Sequence, residues 1–377
     1  HPSLANQLRS YLVDKLKSSN ARHVAIDIAE ACQLRAMQDL LVGIALDPSE
    51  LHQIRVNAAH AVVRIGDEGA KFNLRPLVFG EAGADPNDEL KGCGLRALWP
   101  AGLDANDLFT ALVPPKKQHF VGPYQVFLSS ELSTHLKPKD LPIALEWVAE
   151  KQQPRHELPL EFDSLIDSIM RKAWDHLEIP GVPEAFGKAV LSRLKHHDVI
   201  IGNRHGASKE TFLTNDDEKR HRILEALFPF LTSPETDATG LIFSTPPFVL
   251  SSDVPWLLQH FVAQESTAVK SVIAQLLSRA FDRDDPKQFE AIYFAAPGKP
   301  VLAEAFAWLF EPIALDSLAA QNLKANYQKR QEILQRKESP TPLIPAPSER
   351  IAKLLEECES GNSAVWWRLN MEMTLEP

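Results

Sequence analysis

The sequence is poor in cysteine and glycine, and it has no long apolar run. Its three cysteines, Cys32, Cys93 and Cys358, lie far apart and are odd in number. They offer neither a disulfide framework nor a zinc-ligand spacing, and they fit a reducing, cytoplasmic setting. Sixteen glycines in 377 residues are too few for a sandwich or barrel built on many tight turns. No stretch reaches the roughly 18 apolar residues of a membrane helix, and no signal peptide leads the chain, so no membrane partner is expected. The G-x-x-x-x-G-K-[ST] phosphate loop is absent. Cationic residues are outnumbered, 40 Lys+Arg against 50 Asp+Glu, for a net charge of −10. That opposes nucleic-acid binding through bulk charge and leaves room only for a local basic patch. The chain begins at His1 and stops at Leu375-Glu376-Pro377 without a capping signal, which reads as a piece of something longer.

What is present is helical. A hydrophobic content of 44% with 24% charged residues is that of a folded protein, and the length allows two or three domains or one elongated array. Leu4, Leu8, Tyr11, Leu12 and Leu16 form one stripe behind Pro2. Leu51, Ile54, Ala58, Val62 and Ile65 form another, ended by Gly66. Phe162, Leu165, Ile166, Ile169, Met170, Ala173 and Leu177 keep i, i+3, i+4, i+7 spacing, as do Val269, Val272, Ile273, Leu276, Leu277, Ala280 and Phe281. The only strand-like runs are short: Val199-Ile200-Ile201 and Leu241-Ile242-Phe243. Proline is abundant, 28 residues, and suits short elements broken at intervals. Breakers fall at Asp47-Pro48, Gly66-Asp67, Asp85-Pro86, Trp99-Pro100-Ala101-Gly102, Pro114-Pro115, Ile179-Pro180-Gly181, Asp285-Pro286 and Pro297-Gly298.

A repeat runs through the N-terminal part. Asp47 to Asp67 reads DPSELHQIRVNAAHAVVRIGD, and Asp85 to Pro100 follows the same plan as DPNDELKGCGLRALWP. Ala21-Arg22 with Ala25, Ile28 and Ala29 is a weaker upstream copy, and Val269-Lys270 with Ile273-Ala274 a later one. The anchors Arg22, Arg55 and Lys91 are 33 and 36 residues apart. The pattern resembles the HEAT repeat, a helical hairpin stacked into an α-solenoid. The resemblance implies small residues where neighbouring hairpins approach, and an Arg or Lys tying each hairpin to an adjacent loop or acid. A lone helix pair cannot cover its apolar face, so its neighbours must.

The C-terminal third changes character. Residues 316–338 read as a long charged helix, 339–347 as a proline-rich linker, and 348–377 as short helical segments. Residues 359–377, ESGNSAVWWRLNMEMTLEP, together with Leu95–Leu103, Leu108–Leu112 and Pro114-Pro115, resemble the region following the repeats in large bacterial NACHT-type NTPases of the STAND class. That resemblance implies a sensor array that relays a bound ligand to an NTPase module outside these residues.

Candidate chemistry is thin. His196-His197-Asp198, with Arg204-His205 downstream, is the best acid-base or metal candidate, but adjacent helical side chains point about 100° apart, and a helix C-terminus explains the pair more simply. Arg193, Lys195, Arg204 and Lys209 make a local cationic stretch able to meet a phosphate or acidic partner, or to be a solvated loop. Cys93, flanked by Gly92 and Gly94, reads as a buried thiol at a close helix seam. Asp282, Asp284 and Asp285 lack the spacing of a calcium loop, and Asp216, Asp217 and Glu218 load a helix first turn. Trp366-Trp367 could grip a partner helix or pack a junction.

The expectation is an all-α protein: an α-solenoid of HEAT-like hairpins over 1–112, further helical repeats with long loops over 113–312, and the charged helix, linker and terminal segment over 313–377. It is expected to be a non-catalytic recognition scaffold with no cofactor or metal, binding a protein or other macromolecule through Arg193, Lys195, His196, His197, Arg204, His205, Trp366 and Trp367. The competing expectation is a HEAT-like enzyme of DNA-base repair, which the negative charge opposes.

Overall fold

The computed structural model describes residues 2–117, 120–151, 159–196, 199–202, 213–233, 238, 240–282, 285–296 and 298–307. Among these, every regular element is helical and none is a strand. The chain divides into two compact units, His1–Glu210 and Thr211–Pro377. Trp366 and Trp367, the charged helix and the proline linker lie outside the described residues, as do His197, Arg204 and His205.

The first unit runs α1 (Pro2–Val13), α2 (Ser19–Ala31), α3 (Gln38–Leu46), α4 (His52–Ile65), α5 (Glu68–Phe72), α6 (Arg75–Val78), α7 (Glu89–Leu98), α8 (Ala105–Ala111), α9 (Pro123–Val126), α10 (Leu132–His135), α11 (Leu141–Glu150), α12 (Leu160–Trp174) and α13 (Val182–Leu194). The expected breakers in this unit all fall between helices. Proline sits in the first turn of α6, α9, α11 and α13, where its missing N–H costs no helical bond. Ser18, Asp67 and Asp104 accept from the N3 amides of α2, α5 and α8 and so fix those starts.

Packing in this unit is serial. Helices α1, α3 and α6 lie against α2, α4 and α7 respectively, and α2 packs on α4, α4 on α7 and α7 on α9. One apolar core runs through these elements from Ala5 to Cys93. Ala58, Ala59 and Ala61 are fully buried on α4, so neighbouring backbones come close. Gly92 on α7 carries this furthest: a Cβ there would run into the backbone of Pro123 and Tyr124.

The stripes hold with two corrections. Leu51, counted in the second stripe, lies ahead of α4 at its N-cap position and is 59% exposed. On α12, Phe162 to Ala173 are buried as spaced, and Leu177 beyond its end is buried too. On the first helix, Tyr11 is 44% exposed and Leu16 96% exposed. The helix stops at Val13 because Asp14 turns the chain: its carboxylate accepts from the Leu16 amide at 2.9 Å and its carbonyl from Lys17 at 3.2 Å.

The second unit runs α14 (Asp217–Leu227), α15 (Gly240–Phe243), α16 (Val254–Ala263), α17 (Thr267–Ala280), α18 (Pro286–Ala295) and α19 (Pro300–Ala305). Asp216 caps α14, Ser266 caps α17 and Asp285 caps α18, so the acidic runs at 216–218 and at Asp285 sit where the helix dipole favours them. Leu241–Phe243 lies in α15, and Ile200 and Ile201 are buried in a non-helical segment of the first unit.

Candidate interaction surface

Two of the three repeat anchors, Arg22 and Arg55, tie their helices to neighbouring segments. Arg22 on α2 is buried. It donates to the Leu12 carbonyl, ten residues back at 3.0 Å, and makes a two-pronged bond to Glu50, 28 residues ahead, at 2.7 and 2.8 Å. Arg55 on α4 is buried too. It donates to the Ala45 carbonyl, again ten residues back at 3.0 Å, and forward to the carbonyls of Ala82 and Ala84. Each guanidinium therefore joins the last turn of the helix before it to the loop inside the next helix pair. A planar five-donor group does this where an ammonium would not. Lys91 departs from the pattern: its ammonium lies over the Tyr124 ring at 5.7 Å, and burial holds its pKa below the usual lysine range.

Unit two contains a comparable tie that the sequence pattern does not reveal. Arg220 on α14 is fully buried, donates to the Thr214 carbonyl at 3.0 Å, and meets Asp253, 33 residues ahead, at 2.7 Å. The arginine hides in a charged run, DEKRHR, where it looks like solvent-facing polarity. Asp253 also takes His221 Nε2 at 2.8 Å, and that ring stacks on Trp256 at 3.9 Å. Among the described residues, Lys270, the expected later anchor, makes no such tie.

Outside these ties, α2, α4 and α7 present a polar strip. Asp27, His60 and Arg96 each stand five residues after their anchor and carry partly exposed side chains. Glu30 on α2 meets His60 at 3.4 Å and Arg64 at 3.1 Å, both from α4. His23 contacts Asp27 within its helix and Asn57 across to α4. Arg96 pairs with Glu131 at 2.8 Å. Imidazole, amide and guanidinium edges alternate with carboxylates over three successive helices. Such a strip can hydrogen-bond a macromolecular partner, and it holds no nucleophile beside a base.

The expected cationic patch takes a different form. Arg193 is buried, not exposed: one of its nitrogens donates to Asp163 at 3.0 Å and to Asp167 at 2.9 Å. The reason lies on α12, where Asp163 and Asp167 sit four residues apart beside the apolar stripe and need a partner once buried. Asp167 also accepts from the Gly202 amide at 3.2 Å, so the cluster pins residues 199–202. Burial, working against Arg193, pushes the Asp167 carboxyl up to about 7. Lys195 and His196 stand at the C-terminal end of α13, where the macrodipole favours cations.

Among the described residues, no group of three or more His, Cys, Asp or Glu is placed to hold a metal. Cys93 is fully buried, and burial pushes its thiol up to about 12, far from thiolate chemistry. Among the described residues, no helix is long and apolar enough to cross a membrane. No known protein family, no curated protein and no solved structure matches the chain.

Proposed function

We propose that the chain is a recognition scaffold, the HEAT-like α-solenoid sensor region of a STAND-type NTPase. One observation carries the reading. Arg22 and Arg55 occupy equivalent places in successive helix pairs and make equivalent ties, each ten residues back and 27 to 29 residues ahead. A recurring joint of this kind belongs to stacked, nearest-neighbour hairpins. The ligand is a protein or other macromolecule, held by the strip of Asp27, Glu30, Asn57, His60, Arg64 and Arg96. It acts by differential affinity: it binds one spacing of the stacked helices better than another, and so biases the adjoining module.

Photo-crosslinking tests the reading. A benzophenone side chain at position 60 or 64 is expected to trap a macromolecular partner, with the same probe at Gln275, on the second unit, as control. Equal labelling from all three positions would remove the strip as the contact face. Retention of duplex DNA with a steep salt slope would favour the nucleic-acid reading instead.

A further inference from the structure

The second unit contains a cleft of about 280 Å³ that the scaffold role does not use. It opens between the end of α16, the start of α17 and the turn entering α19. Phe261, Val262, Pro300 and Val301 give it an apolar side, and Lys270, Lys299 and Thr267 a polar one. Phe261 is buried and forms firm floor, whereas Val262 is 57% exposed.

The charge on the polar side is unbalanced. Among the described residues, Lys299 donates one hydrogen bond, to the Ala295 carbonyl at 2.8 Å, of the three its ammonium can make. Among the described residues, neither Lys270 nor Lys299 forms an ion pair. Elsewhere acids take up cations: Lys15 meets Asp47 and Lys116 meets Asp88. Two ammonium groups with no ion pair among the described residues, beside an apolar wall, fit a ligand that is anionic at one end and apolar at the other.

We propose that this cleft binds a small monocarboxylate with a short aliphatic chain, its carboxylate between Lys270 and Lys299 and its tail against Phe261, Val262 and Val301. The cleft is open on one side, and its volume of about 280 Å³ has room for a carboxylate with a short tail such as that of hexanoate. The carboxylate takes charge-assisted hydrogen bonds, which are about twice as strong as neutral ones. This site is independent of the strip on α2, α4 and α7.

Isothermal titration of the whole chain with hexanoate tests it. Saturable binding is expected, with hexanamide and acetate each at least about ten-fold weaker, because one lacks the charge and the other the tail. Lys270→Gln with Lys299→Gln should abolish binding while far-UV circular dichroism stays unchanged. Val262→Glu, which sets a carboxylate on the exposed rim, should do the same. No saturation by hexanoate, equal binding of hexanamide, or unchanged affinity in the double lysine variant would each overturn the proposal.

Discussion

At the scale of single residues, the chain is organised by buried arginines whose partners are fixed by position. Glu50 is 4% exposed and takes both prongs of Arg22. Arg22→Met leaves that carboxylate with only Lys15, whose ammonium lies 3.7 Å away, and should cost about 3 kcal/mol in urea unfolding, the low end for a broken buried pair. Arg22→Met with Glu50→Gln should cost clearly less than the sum of the two single changes, since no buried charge is left unpaired; strict additivity would mean that the pair contributes nothing as a pair. The Asp163–Asp167–Arg193 cluster makes a prediction in pH. Two carboxylates share one guanidinium nitrogen, with Arg171 also near enough to act on Asp167. The folded-state pKa of Asp167, about 7, is raised above its unfolded value. Its contribution is therefore present in full below about pH 4 and is lost as pH rises through 7. Between pH 5 and pH 8 the wild type should lose a few kcal/mol relative to Asp167→Asn, because each tenfold difference in proton affinity between the folded and unfolded chain is worth about 1.4 kcal/mol. Parallel stability curves for the two proteins would show that Asp167 ionises normally. The acids were visible as charges in a helical run, but nothing in one sequence says that a charge flanked by Phe162 and Ile166 turns inward.

At the scale of elements, most of the helices were legible because their signals are local. Asp-Pro and Gly-Asp breakers, Ser and Asp caps and 3.6-residue stripes each act within a few residues, and the boundaries follow them at α4, α14 and α18. What stayed hidden depends on partners distant in sequence: the tie made by Arg220 and the inward turn of Arg193. Glycine separates the two cases cleanly. Gly43 sits exposed in α3 with nothing within 4 Å of a would-be Cβ, so Gly43→Ala should stabilise the protein by about 0.5–1 kcal/mol through helix propensity alone. Gly92 has the same propensity deficit, yet a Cβ there meets the Pro123–Tyr124 backbone. Gly92→Ala should therefore destabilise by about 1–3 kcal/mol, because backbone cannot step aside as a side chain can. Matched thermal melts of the two variants give the sign directly, and a gain in both would mean that α7 and α9 are not in close contact.

At the scale of the whole molecule, the decisive property is the range over which a perturbation travels. In the first unit α2 touches α4, α4 touches α7 and α7 touches α9, in chain order. The proposed stacking of helix pairs would make stability a sum of local and nearest-neighbour terms, with damage staying close to its source. Arg55 is the sharpest place to inflict it, since its side chain holds α3 and the loop before α7 at once. Arg55→Met removes both joints and leaves three carbonyls without that donor. Amide exchange in this variant should accelerate across α3, α4 and α7 by the factor that about 2–3 kcal/mol implies, on the order of 30- to 150-fold. Exchange in α12 and α13, and throughout α14 to α19, should keep wild-type rates. Uniform acceleration over the chain would instead indicate one all-or-none body, and a stack that opens only as a whole could not give a ligand on α2, α4 and α7 the alternative spacings on which signalling by selection depends.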